Sequence, residues 1–379
     1  MDVMESGYLS RYGNIEDPRF KRKVQRLEEE FARYQGVPHA LALSSGTGAL
    51  WTSLLAMGIG PGDEVLVPGY TFVATYSAVI FAGATPVLTE IDESLCMDAR
   101  ELEHRITPRT KAIVPVHMLG NPCDLTPIVE LARRRGLLVL EDGCQALGAS
   151  YRGRRVGTYG QMGAFSLNFF KTITAGDGGL LVTSDPELYR RAFAIHDQGH
   201  LPSRAGVEIG ARTILGMNLR INELTGAVAL AQLRKLDAIT STLRTKKQLL
   251  KAAIGAHPSY RFRTLPDPEG ECGTLLTVIF DDAERARRVA ARLGTKTVSE
   301  SGWHVYSNME HFIARMRELG QPAAKGTLPR TDDLLARAIN VSVGVVDGGL
   351  GSGFGIHIDS TEREIEATAA AFSDAVRSC

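Results

Sequence analysis

The sequence predicts an α/β chain on a largely parallel sheet, followed by a smaller α+β region. Three observations predict it. Strand-sized apolar runs alternate with helical patterns from about residue 40 onward, which is the signature of strands joined by crossover helices. Polar residues suited to a ligand sit where those apolar runs end, as in open parallel sheets. After the long apolar stretch Ile221–Leu236 the alternation gives way to a sparser mixture of strands and helices. The chain therefore divides into a large domain at 1–240 and a smaller one at 241–379, with the boundary between 237 and 250.

Each element has a local reason. Lys21 to Gln35 is a charged amphipathic helix, because Val24, Leu27, Phe31 and Tyr34 line one face. Ala40–Leu43 is a short strand, and Ser44-Ser45-Gly46-Thr47-Gly48 turns it into a helix over Ala49–Met57. Glu64–Pro68 is a strand, Thr75–Ala82 a helix stopped near Gly83, and Pro86–Leu88 and Thr110–Val116 are further strands. Pro127–Arg135 is a helix whose terminal Arg133-Arg134-Arg135 complements its dipole, with a phosphate-binding patch as the alternative. Leu137–Leu140 is the strand that delivers Glu141-Asp142, and Leu180–Thr183 is another. Ile221–Leu236 is one long helix running on towards the basic Lys246-Lys247. In the smaller region Gly273–Phe280 and Asn340–Val346 are strands. Asp282–Leu293 is a helix there, and so is Thr361–Val376, opened by a capping sequence at Ser360–Glu364. Gly348–Gly353 is the loosest stretch and reads as a mobile loop.

Composition narrows the class. With 43 basic and 43 acidic side chains, the chain has no general field favouring nucleic acid or an anionic membrane. Five cysteines without a CxxC pair argue against a disulfide framework and against a zinc site, so no metal is expected. No apolar run approaches the roughly 20 residues that span a bilayer. The first residues lack the blocks of a secretory signal. The expected compartment is reducing and cytoplasmic.

The most telling residue is Lys171, in Phe165-Ser166-Leu167-Asn168-Phe169-Phe170-Lys171, followed by Gly176-Asp177-Gly178-Gly179. An amine among apolar residues, downstream of a strand that delivers a carboxylate, is what a pyridoxal-phosphate site requires. Lodged among Phe169, Phe170 and Ile173, the amine would be favoured in its neutral, nucleophilic form. Asp142 suits a pyridinium N–H; alone it reads equally as a helix N-cap. Gln145 suits the ring oxygen and Ser166 a phosphate. Gly46 and Thr47 open a helix and suit an anion, or serve only the turn. Phe72, in Pro68-Gly69-Tyr70-Thr71-Phe72, is an aromatic face for a planar ring or a core residue.

Taken in order, Ser45-Gly46-Thr47, Pro68…Tyr70-Thr71-Phe72-Val73-Ala74-Thr75 and Ala82-Gly83-Ala84-Thr85-Pro86-Val87 come first. Glu141-Asp142…Gln145-Ala146, Phe165-Ser166…Lys171 and Gly216-Met217-Asn218-Leu219-Arg220 complete the set. This sequence resembles the DegT/DnrJ/EryC1/StrS aminotransferases, strongly over about residues 10–240. The resemblance implies the type I (aspartate aminotransferase) fold and pyridoxal 5′-phosphate cycling through pyridoxamine 5′-phosphate. It implies that Lys171 bonds to the cofactor aldehyde and shuttles the substrate proton. Asp142 would hold the ring nitrogen, Gln145 the ring hydroxyl, and Phe72 would stack on the ring. Gly46, Thr47 and Ser166 would bind the phosphate. Asn218 would reach the phosphate of a second copy, which makes the active unit a homodimer.

The implied reaction moves an amino group from glutamine or glutamate to a keto group on a sugar or cyclitol. Lysine rather than histidine at 171 separates the chain from the sugar dehydratases it also resembles. A lyase, dehydratase or aromatic-forming enzyme of the same architecture is the alternative, and a non-catalytic regulator a further one. His196 and His200, in Ile195-His196-Asp197-Gln198-Gly199-His200, are substrate contacts or buried structural histidines. Trp303, His304 and Tyr306, in Gly302-Trp303-His304-Val305-Tyr306-Ser307-Asn308-Met309, carry rings and amides suited to hydroxyls. A nucleotide-linked acceptor would want a basic groove. The sparse candidates Arg204, Arg212 and Arg220 favour a small acceptor of secondary metabolism.

Overall fold

The computed structural model describes residues 1–202, 212, 214–345 and 347–379. Val346 and Arg204 lie outside the described residues. Seven strands form the main sheet: β1 (His39–Leu43), β2 (Glu64–Pro68), β3 (Thr85–Thr89), β4 (Thr110–Ile113), β5 (Leu138–Asp142), β6 (Met162–Ser166) and β7 (Gly179–Thr183). Their order is β1-β7-β6-β5-β4-β2-β3. β3, β2, β4, β5 and β6 pair in parallel, while β7 pairs antiparallel with both neighbours. β2 and β6 are buried along their whole length, as central strands of a sheet covered on both faces should be. A second sheet, β8 (Tyr260–Phe262), β9 (Leu275–Phe280) and β10 (Ala338–Ser342), is antiparallel in the order β8-β9-β10.

Two hydrophobic clusters follow. The larger one surrounds the main sheet with Phe31, Leu66, Tyr76 and Phe165, and also takes in Tyr306, Leu328 and Leu335 from the C-terminal third. The smaller gathers Leu250, Phe280, Val341 and Phe372 around the second sheet. Close packing of the N-terminal helix Lys23–Gln35 against helix Glu223–Leu233 requires glycine, since a Cβ on Gly226 would lie 2.9 Å from the Val24 nitrogen. Glu223 also caps that helix from outside, its carboxylate accepting from the Lys23 and Val24 N–H groups at 2.5 and 3.0 Å.

The structure departs from the sequence expectations in several places, and the strand expected over Asn340–Val346 is Ala338–Ser342. The helix expected at Ala49 starts at Gly46, so the glycines belong to its first turn. The strand from Thr110 ends at Ile113, because Pro115 has no N–H to continue a ladder; Val116 makes a lone parallel bridge to Asp142. The long helix from Ile221 is two, Glu223–Leu233 and Leu236–Ile254, broken at Arg234-Lys235. Gly348–Gly353 is a bonded turn. Asp347 caps the single 3₁₀ turn Gly348–Leu350, Ser352 Oγ donates to the Val345 carbonyl, and Thr295 Oγ1 donates to the Gly351 carbonyl at 2.7 Å.

Candidate active site

A cavity of about 550 Å³ opens at the carboxyl ends of β5 and β6. Gly46, Thr47, Phe72, Asp142, Gln145 and Ser166 line it, as do Lys171, Trp303 and His304. Residues far apart in sequence thus meet where a parallel sheet offers a crevice.

The acidic pair at the end of β5 is split by strand alternation, which sends successive side chains to opposite faces. Glu141 turns inward and is fully enclosed, accepting from the N–H groups of Gly157, Tyr159 and Gly160 at 2.5–2.8 Å and facing His117 Nε2 at 3.1 Å. Its work is to anchor the loop before β6. Asp142 turns to the cavity. Thr75 Oγ1 donates to its Oδ2 at 2.7 Å, the Cys144 N–H donates to Oδ1 at 3.0 Å, and Thr71 Oγ1 lies 2.7 Å from Thr75 Oγ1. The carboxylate is held by both oxygens, with lone pairs left for a ligand.

Beside it, Ser45 caps helix Gly46–Ala56, its Oγ accepting from the Gly48 N–H at 3.0 Å. The first N–H groups of a helix have no partner within the helix and favour an anion. Gly46 leaves room there: a Cβ would stand 2.8 Å from Ser166 Cβ and 3.0 Å from Cys144 Sγ. Ser166 Oγ accepts from the Asn168 N–H at 3.2 Å, so its own proton is free to reach an anion. Gln145 Oε1 accepts from the Leu119 N–H at 3.0 Å, which leaves its NH₂ as the group to offer.

Lys171 sits on a turn closed by Asn168, whose carbonyl accepts from the Lys171 N–H at 3.1 Å and whose Oδ1 accepts from the Phe170 N–H at 3.2 Å. Lys171 is half-buried, its Nζ 5.8 Å from the centre of the Phe72 ring. The expected apolar nest is not there. Phe169 is 70% and Phe170 48% exposed, and only Ile173 is buried, although Phe170 shares the cavity lining with Lys171.

Trp303 and His304 reach the cavity through main-chain bonds. The Thr71 and Val73 N–H groups donate to the carbonyls of His304 and Trp303 at 2.9 and 3.0 Å. Ser301 Oγ lies 2.9 Å from His304 Nδ1 and gives its one proton to the Gly349 carbonyl, so Nδ1 carries the proton and Nε2 is left as an acceptor. Burial, then the charge of Lys171, pushes the His304 pKa down to about 3, and the ring is neutral.

Four expected residues lie outside the lining. Tyr306 is wholly buried, its Oη accepting from the Leu328 N–H at 3.0 Å, because the residue two along from His304 turns into the core. His196 is enclosed as well. Nδ1 donates to the Phe193 carbonyl at 2.6 Å and Nε2 accepts from Arg11 at 3.1 Å, while burial and then the Arg11 charge push its pKa down to about 3. His200 is buried, and Asn218 is exposed, bridged through its backbone to Asp197. Of the arginines considered for a basic groove, Arg220 is committed to Asp197 and Gln198.

Sequence reading missed Thr75, Cys144, Asp177 and Asp347, all in the lining. The four-residue spacing of Thr71 and Thr75 at a helix start was the one signal available for the first. Together a helix N-terminus with Ser166, a carboxylate held by Thr75, an aromatic face and an amine fit pyridoxal 5′-phosphate in size and chemistry. Among the described residues no helix is long and apolar enough to cross a membrane.

The sequence profile of the DegT/DnrJ/EryC1/StrS aminotransferase family matches residues 14–345. The chain is 43% identical over 238 residues to a GDP-perosamine synthase of Caulobacter vibrioides, covering 62% of this chain and 61% of that protein. It is 39% identical over 244 residues to an L-glutamine:2-deoxy-scyllo-inosose aminotransferase of Streptomyces kanamyceticus, covering 62% and 57%. The matches thus span about three-fifths of these relatives' length. The fold is similar to that of a 3-amino-5-hydroxybenzoic acid synthase, with a TM-score of 0.83, 28% identity and 100% and 94% of the two chains covered.

Proposed function

The chain belongs to the DegT/DnrJ/EryC1/StrS aminotransferase family, and on that premise we propose that it transfers an amino group from glutamine or glutamate to a keto group on a sugar or cyclitol, with pyridoxal 5′-phosphate as cofactor. The observation that carries this reading is the convergence of Asp142, Ser166 and Lys171 with the Gly46 helix terminus on one cavity.

When bound, the cofactor supplies an aldehyde that accepts the amino group and a ring that withdraws electrons. Gly46 and Thr47 N–H groups and the Ser166 hydroxyl would hold its phosphate. The Phe72 ring would pack against its ring. Asp142 would keep a proton on the ring nitrogen, and Thr75 and the Cys144 N–H keep Asp142 in place. The Gln145 amide would donate to the ring hydroxyl. Lys171 is the amine that would hold the cofactor, and its Nζ would move a proton at the substrate carbon.

The reading includes a homodimer. Trp303 and Phe169 beside the cavity, and Met217 next to Asn218, are more than half exposed. A second copy would cover them and bring Asn218, which is exposed and outside the lining of its own cavity, to a phosphate.

The test is an absorbance spectrum of the reconstituted protein before and after glutamine or glutamate, with each keto acceptor added in turn. Loss of the aldehyde-form band with the donor and its return with the acceptor is expected. A band that no amino acid changes would overturn the reading.

A further inference from the structure

The turn Pro115–Gly120, which follows β4, grips two of the residues that face the cavity. Asp142 bonds to it by both backbone groups. Its N–H donates to the Pro115 carbonyl at 2.9 Å, and its carbonyl accepts from the His117 N–H at 3.0 Å. Three residues on, Gln145 Oε1 accepts from the Leu119 N–H at 3.0 Å. Leu119 makes that bond from an unusual backbone shape. It is buried with φ +58° and ψ +33°, the left-handed region that a side chain disfavours.

Such a shape persists where its surroundings over-determine it. Here they come from the chain around the second sheet. Three consecutive carbonyls of the turn accept from that chain: Met118 from Arg263 Nη2 at 3.1 Å, Leu119 from Thr274 Oγ1 at 3.3 Å, and Gly120 from the Cys272 N–H at 2.9 Å. The packing is tight, since a Cβ on Gly120 would stand 2.8 Å from Thr274 Oγ1 and 2.9 Å from Cys272 Cβ. Thr274 is itself tied down, its carbonyl accepting from the Val343 and Gly344 N–H groups, each at 3.1 Å. Leu119, Gln145, Lys171 and Thr274 all line one small void beside the cavity.

We propose that Thr274 and Arg263 are positioning residues for the cofactor ring: by holding the left-handed turn at Leu119 they aim the Gln145 amide at the ring oxygen. This rests on the aminotransferase reading above, in which Gln145 faces that oxygen. With Oε1 engaged by Leu119, the NH₂ is the half of the amide left to donate. An N–H given to the ring oxygen draws negative charge from it. The neighbouring nitrogen that joins Lys171 to the cofactor then binds its proton less tightly. Loosening the turn therefore raises the pH midpoint of the aldehyde-form band.

The experiment titrates that band with pH in the reconstituted protein. Gln145→Leu should raise the midpoint by about one pH unit, a tenfold tighter proton. Thr274→Val keeps the shape and removes one hydroxyl, so a rise of about 0.3 pH unit, twofold, is expected, and Thr274→Ser should restore the original midpoint. In the Gln145→Leu background Thr274→Val should add nothing, because it acts through that amide. Should Thr274→Val not fold, Arg263→Met, which frees the Met118 carbonyl, carries the same two readings. A folded Thr274→Val protein with an unmoved midpoint, or a rise that survives in the double variant, would overturn the proposal. So would a midpoint unmoved by Gln145→Leu. If glutamine or glutamate still discharges the band in those cases, the aminotransferase reading stands and only the positioning role falls. A reconstituted protein that shows no such band would overturn both.

Discussion

The floor of the cavity and the wall that closes on it are held by different bonds. On the floor, side chains hold side chains: Thr71 bonds Thr75, and Thr75 bonds Asp142. In the wall, main chain holds main chain. Thr71, Val73 and Tyr306 N–H groups donate to His304, Trp303 and Gly69 carbonyls, leaving the Trp303 ring outward. The difference teaches where sequence is constrained. Floor substitutions should strike chemistry or cofactor binding, whereas wall side chains can change with the substrate while the backbone scaffold stays.

The sharpest way to break that contrast is Asp142→Asn. An amide accepts poorly from a pyridinium and cannot balance its charge, so turnover should fall about a thousandfold with the fold intact. A loss under tenfold, measured by steady-state kinetics at saturating cofactor, would mean that the floor carboxylate is not coupled to the chemistry.

Acid should be felt on both sides of the comparison. His196, distant from the cavity, and His304, in its wall, are both held neutral by burial, with folded pKa values of about 3 against 6.5. Between those values the unfolded chain binds more protons than the folded one. Stability present above pH 6.5 is therefore lost as the pH falls towards 3, by up to about 1.4 kcal/mol per pH unit for each histidine. Urea midpoints at pH 7, 6 and 5 should fall steadily, and His304→Gln should flatten the slope. An unchanged slope would place His304 outside this account.

Gly46→Ala introduces a methyl where Ser166 Cβ is 2.8 Å away. The floor must shift, costing about 1–3 kcal/mol, and cofactor affinity read by fluorescence titration should drop with it. The smallest effect is that of Thr75→Val, which removes one hydrogen bond to Asp142 while keeping the shape. About 1 kcal/mol, a several-fold drop in turnover, is expected.

What could be read in advance follows the same division. β5 and Asp142 were legible because an apolar run ending in acids is a local pattern, and so was the Gly46 turn. Even there, which of Glu141 and Asp142 faces the cavity follows from strand alternation once the register is known. Wall residues are brought in from more than a hundred positions away, so Asp347 left no local trace and looked like part of a loose glycine loop. Tyr306 was grouped with His304 by proximity in sequence, but the turn sends one to the cavity and the other into the core. Neither glycine nor proline marks the break at Arg234-Lys235, so no local signal announced it. The phenylalanines beside Lys171 misled for a related reason. Apolar neighbours in sequence surround a lysine only if the turn folds them inward, and here Phe169 and Phe170 stay largely exposed.

The most direct test is borohydride reduction of the cofactor-loaded protein followed by peptide mass mapping. The account predicts a single pyridoxyl mass on Lys171, lost in Lys171→Ala together with the aldehyde-form absorbance. A label on another lysine, or a Lys171→Ala protein that still takes up the label and turns over, would contradict it.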